Sequence, residues 1–308
     1  MPRNDDELDD DDRPRRRSRD DDDDRQEDRP RRRSRDNDDG ADRPPPRRSA
    51  TGLVVGILVG VFLVCCGGGG LAVWYIYKGV KKTVEQVNTA MEGVVESEQS
   101  RQNLVRIGSA IQQYETANGA FPNNSYEIKP KGTRPLLSWR VHILPQLGEN
   151  GLYQQFKLDE PWDSPTNIRL LNQMPAIYGS PTAQTKAGPG KTYYRGFSHK
   201  GGMFEKPNAP GDQPPKLKVA DVRDGTSNTL LVVDAGQAVE WTKPDDIDFG
   251  QGKPRPDLGG AYPNVPWVMV LTCDGTVRKL IRTAPDTTLR LLADRQDGQV
   301  IPVGWEQP

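Results

Sequence analysis

Residues 53–77 read Leu-Val-Val-Gly-Ile-Leu-Val-Gly-Val-Phe-Leu-Val-Cys-Cys-Gly-Gly-Gly-Gly-Leu-Ala-Val-Trp-Tyr-Ile-Tyr, a run without a charged side chain. Since about 20 apolar residues in a helix cross the hydrocarbon core of a bilayer, the stretch predicts a transmembrane helix over 51–78 and makes the lipid bilayer the first expected partner. Gly67 to Gly70 weaken helix propensity, but a backbone in lipid must satisfy its own hydrogen bonds, which a helix does. Trp74, Tyr75 and Tyr77 form an aromatic belt at the downstream end, followed by Lys78, Lys81 and Lys82. Fifty hydrophilic residues precede the run, and it is too long for the apolar part of a signal peptide, so an uncleaved anchor is expected. Leu63-Val64-Cys65-Cys66 is a poor lipoprotein site, because the residue before a modified cysteine should be small.

Upstream, residues 1–50 hold 15 Arg, 18 Asp/Glu, a single Leu and no aromatic residue. So little apolar surface cannot offset the entropy of ordering a backbone, and a disordered Arg/Asp-rich tail is expected there. Asp-Arg-Pro-Arg-Arg-Arg-Ser-Arg-Asp occurs twice, from Asp12 to Asp20 and from Asp28 to Asp36. The repeat fits basic docking or phosphorylation sites at Ser18 and Ser34, or a low-complexity tether, and the tether is the preferred reading. The remaining chain carries 27 basic and 25 acidic groups. Such a balance offers no basic face to displace counterions from phosphates, so nucleic acid is not expected as a partner. Cys65 and Cys66 lie in the apolar run and Cys273 stands apart, leaving no disulfide to be formed within the folded part.

Downstream of the run, Val80, Val84, Val87, Met91 and Val94 recur at steps of four and three, the spacing of one helical stripe. The stripe resumes, shifted, at Leu104, Ile107, Ile111 and Tyr114, and both parts read as core or as a coiled-coil seam. Asn118-Gly119 and Phe121-Pro122 should end this helix. The organisation expected is thus a tail over 1–50, a transmembrane helix over 51–78, a helical stalk over 79–99 and a domain over 100–308. Within that domain, the alternation of Trp139, Val141 and Ile143 predicts a strand over 138–143, and Leu147, Leu152 and Phe156 a short helix after Pro145. Leu230 to Val233 reads as a buried strand. Trp267 to Leu271 and Val277 to Ile281 flank Asp274-Gly275, a hairpin signal suited to the primed two-residue turn. Residues 179–215, dense in Gly, Pro, Lys and Asn, read as long irregular loops.

Residues for chemistry are few. His142 and His199 have no second His or Cys at ligand spacing. The stretch 190–202 lacks the order of a phosphate-binding loop. Asp245, Asp246 and Asp248 could offer hard oxygens to calcium, but they equally suit a solvated loop, and their spacing is not that of an EF-hand. Trp162 and Trp241, beside prolines, read as core anchors rather than ligand platforms. Thr226, Ser227 and Asn228 can bond backbone groups around Asp224-Gly225 and so read as loop-setting residues. No catalytic, cofactor-binding or metal residue is assigned.

Four ordered stretches carry a family resemblance: Asn103 to Gly108 with Ile111, Tyr114 and Phe121-Pro122; Ser138-Trp139-Arg140-Val141 through Glu160-Pro161-Trp162-Asp163-Ser164-Pro165 to Asn167; Asp224 to Thr229 with Val239 to Pro244; and Asp274 to Arg278 with Thr288, Leu289 and Leu292. Together they resemble the bacterial, planctomycete-type pilin-like domain of unknown function 1559. The resemblance implies an α+β fold, in which an N-terminal helix leaves the membrane and packs on a mostly antiparallel sheet, and it implies no enzymatic activity. Members commonly open with a prepilin site ending in Glu, whereas Gly52 is followed here by Leu53-Val54-Val55-Gly56. Many also carry a histidine shortly before the final Asp-Gly, where this chain has Asn264. The expected function is that of a non-enzymatic, membrane-anchored structural or assembly protein of the cell envelope, with envelope proteins or further copies of itself as partners. The alternative is a tethered extracytoplasmic module that binds a glycan or peptide. Arg residues upstream of the span place the tail inside the cell and the domain outside.

Overall fold

The computed structural model describes residues 51–129, 132–179, 186–207, 209 and 211–307, with the side chains of 51–68 and 132 excepted. The tail, with Ser18 and Ser34, lies outside the described residues. By its internal contacts the chain divides between Cys65 and Cys66, and the unit from Cys66 onward holds the sheet, the core and α1 from Cys66 on.

The first element, α1, is one helix over Thr51–Asn118. It ends where the sequence predicts: Gly119 takes a left-handed φ of 69°, and its N–H donates to the Glu115 carbonyl at 2.7 Å. Leu104, Ile107 and Ile111 are fully buried, as the second stripe requires. The first stripe is a correction. Val80, Val84, Val87, Met91 and Val94 are exposed rather than core, because the domain meets α1 only from about Gly93 onward. Most of the apolar run lies among the undescribed side chains of 51–68. Among the described residues no helix is long and apolar enough to cross a membrane.

Beyond α1 come a small hairpin, β1 (Tyr126–Lys129) with β2 (Gly132–Pro135), two single-turn helices, α2 (Trp139–His142) and α3 (Asn150–Tyr153), and then the main sheet. That sheet runs in the order β3 (Lys191–Arg195), β4 (Leu230–Glu240), β5 (Trp267–Thr272), β6 (Val277–Ile281), β7 (Glu306–Gln307), every neighbour antiparallel. The eight-residue α4 (Asp286–Ala293) lies between β6 and β7 in sequence. Met269 and Leu271 of β5 face the core shared with α1, while Val268 and Val270 face the core shared with α4. Layers on both faces explain why β4 and β5 read as continuous apolar runs instead of alternating. The fold is therefore α+β, a long helix on an antiparallel sheet. Gly108 lets α1 approach closely, since a Cβ there would stand 2.8 Å from Leu271 Cδ1.

Three local expectations are corrected. Residues 139–142 are helical, and the side chain of Ser138 caps them by accepting from the Arg140 N–H at 3.1 Å. Trp139, Arg140 and Val141 are buried in succession, so the apparent alternation reports no exposed face. The stretch 179–215 is not all loop, because it contains β3, whose Thr-Tyr-Tyr centre suits a strand. The Asp274-Gly275 hairpin forms as expected, but through a longer turn: the Gly275 N–H donates to the Thr272 carbonyl at 2.9 Å, and Gly275 itself is left-handed at φ 84°. That is the three-residue connection with glycine in the left-handed position.

Candidate functional site

Two buried polar clusters stand out, one around α2 and one between α1 and the sheet. The first is centred on Arg140, whose side chain is fully buried. Its Nε and Nη2 donate to the Tyr194 carbonyl at 2.8 and 2.5 Å, Nη1 donates to Ser138 Oγ at 2.8 Å, and Nη2 reaches Asp246 Oδ1 at 3.3 Å. Asp246 also accepts from Trp139 Nε1 at 3.2 Å, the Gly196 N–H at 2.9 Å and Asn124 Nδ2 at 2.7 Å. Tyr178 closes the group by donating its hydroxyl to the Arg140 carbonyl at 2.6 Å. Burial lowers the pKa of the guanidinium, and the facing Asp246 opposes that shift. A buried charge this fully bonded holds structure, and its donors are turned inward.

The second cluster keys the helix to the sheet. Asp234 on β4 accepts hydrogen bonds from Ser100 on α1 and from the Tyr262 hydroxyl, and Tyr262 accepts from the Met269 N–H at 2.9 Å. Asn103 on α1 donates to the Tyr194 hydroxyl at 3.2 Å, and Trp267 Nε1 to Ser97 Oγ at 3.3 Å. Glu96 is buried beside this group, with Oε1 lacking a hydrogen-bond partner among the described residues. Burial raises the pKa of Asp234 to about 6, against the pull of the Ser100 and Tyr262 hydrogen bonds, and Glu96 adds to the rise. Nothing in the sequence singles out Asp234, since its partners lie as far as 134 positions away.

The residues singled out from sequence do not converge. His142 sits on α2, and burial depresses its pKa to about 4. His199 lines a cleft of about 530 Å³ with Phe249, Arg290, Asp294 and Asp297, and burial lowers its pKa too. The three neighbouring acids part company: Asp246 is the buried acceptor above, Asp245 pairs with Arg195 at 2.9 Å and Lys243 at 2.8 Å, and Asp248 with Lys253 at 3.5 Å. Among the described residues no group of His, Cys, Asp and Glu could hold a metal ion. Trp241 is a core anchor, fully buried, stacked on Tyr178 and donating Nε1 to the Leu171 carbonyl at 3.0 Å. Trp162 is half-buried, with Lys243 over its ring at 5.7 Å. The Asp224–Thr229 block does set a loop: Asn228 Nδ2 donates to the Asp224 carbonyl, and the Thr226 and Thr229 carbonyls accept the N–H groups of Asp274 and Cys273. Cys273 is buried and free.

Fold and clusters together define a class: an α+β domain whose antiparallel sheet is keyed by buried polar side chains to the final turns of a long helix. Within that class the chain belongs to the family described as protein of unknown function (DUF1559), whose profile matches residues 97–288. The match opens at Ser97, where α1 enters the polar seam, and closes within α4. No curated protein and no solved structure matches this chain.

Proposed function

We propose that this protein is a non-enzymatic, membrane-anchored structural or assembly protein of the cell envelope, pilin-like in architecture, with its tail in the cytoplasm and its domain outside. The observation that carries the reading is the continuity of α1. One helix, Thr51–Asn118, contains the uncharged run 53–77 and, further along, the buried core residues Leu104, Ile107 and Ile111. The aromatic belt Trp74, Tyr75 and Tyr77, with Lys78 held over Trp74 at 4.4 Å, suits the level of lipid headgroups. The two polar clusters support a structural role, because Arg140, Asp246, Asp234, Ser100 and Tyr262 are engaged with backbone and with each other.

Protease added to intact spheroplasts tests the topology. The domain should be digested while an epitope placed before Arg13 survives; loss of the epitope with survival of the domain reverses the orientation and removes the envelope role. A melting temperature that rises with a glycan or peptide ligand would favour the binding-module alternative.

A further inference from the structure

The stripe formed by Val80, Val84, Val87, Met91 and Val94 is between 46 and 61 % exposed. At about 100° per residue, its centre lies roughly 140° from the face of α1 that carries Gly93, Ser97, Ser100, Leu104, Ile107 and Ile111 into the domain. The domain therefore packs on another side of α1 and leaves the stripe uncovered. Charge is segregated as well. Lys78, Lys82, Glu85 and Glu92 project away from the stripe and Lys81 flanks it, approaching Glu85 to 4.0 Å, while the next positions of the same spacing, Glu98 and Arg101, are charged and end the stripe.

We infer that this stripe is a self-association seam, and that its occupant is the same stripe of a second copy of this chain, aligned in parallel. Steps of four and three are the pattern by which two helices bury a shared seam by knobs-into-holes packing. A seam without charge accepts an identical neighbour with no like-charge repulsion, so the surface is self-complementary as a symmetric pair requires. The parallel alignment rests on the membrane-anchor reading: copies held in one bilayer present residues 80–94 at the same height and at high effective concentration.

The test is cysteine crosslinking of the full-length chain in native membranes, with Cys65, Cys66 and Cys273 replaced by Ala. Val87→Cys and Val84→Cys should form homodimers under mild oxidation at least tenfold more than Lys82→Cys or Glu85→Cys. Val87→Asp should abolish dimers trapped by an amine-reactive crosslinker while leaving the melting transition unchanged, because Val87 does not touch the domain. Equal crosslinking on both faces, none on either, or Val87→Cys adducts of another mass would overturn the seam; the last outcome identifies a different protein as partner. Protection of Val87→Cys from a soluble thiol reagent without any dimer overturns it in favour of lipid. Release of the chain from carbonate-washed membranes is a separate failure, that of the anchor, and the two-face comparison still decides the seam in the released protein.

Discussion

Asp245, Asp246 and Asp248 sit together in sequence but differ in what their removal should cost. Asp246 neutralises a guanidinium with no exposed surface, so Asp246→Ala leaves Arg140 buried and unpaired, a loss of about 3–5 kcal/mol. Asp245 and Asp248 make partly exposed pairs, and their Ala variants should lose only about 0–1 kcal/mol. Urea unfolding of the detergent-solubilised chain measures all three, and equal losses would contradict the assignment. Asp234 makes a prediction with a sign. Its carboxyl titrates at about 6 in the folded protein against an ordinary 3.8, because burial favours the neutral form. Its contribution to stability is thus complete below about pH 4 and is lost as pH rises through about 6. The groups facing it are Glu96 and Ser100 of α1, Tyr194 of β3, Tyr262 and Arg282. Asp234→Asn imitates the neutral form, so wild type should lose stability relative to the variant by an amount on the order of 3 kcal/mol between about pH 4 and pH 7. A difference that stays flat across that window would show that the seam does not titrate.

Among the elements, those with a local cause were legible and those with a distant cause were not. Gly119 with Pro122 ends α1, and Asp274-Gly275 turns β5 into β6, because a left-handed residue is a local requirement that glycine meets. Leu230 to Val233 is legible as buried because both faces of the strand are covered. Residues 138–143 mislead because α2 is a single turn held by Ser138 and by Asp246, which lies 106 positions beyond Arg140. The Tyr-rich β3 was obscured by the glycines and prolines around it. As for the site, the Trp-Arg signature was visible, but Asp234, Ser100 and Tyr262 meet only through the tertiary fold. One element-scale consequence concerns the end of β3. A Cβ on Gly196 would fall 1.9 Å from Phe204 Cδ2, and that ring stacks on Trp139 at 5.0 Å. Gly196→Ala should therefore destabilise the domain by about 1–3 kcal/mol through overpacking, whereas Gly151→Ala, with open space around it, should not. Thermal unfolding of the two variants side by side decides the matter, and similar transitions would refute the packing argument.

At the scale of the whole molecule, one helix, α1, carries the apolar run 53–77, an exposed uncharged stripe and the buried residues that pack on the sheet. The stripe looks like core in the sequence, since a 3.6-residue period reports only that a face is apolar and not what covers it. The central claim is that the run 53–77 holds the chain in the membrane. Alkaline carbonate washing of membranes carrying the full-length protein tests it most directly, because peripheral contacts are stripped while a spanning helix stays. The account predicts that the chain remains in the pellet. Its quantitative release into the supernatant would contradict it.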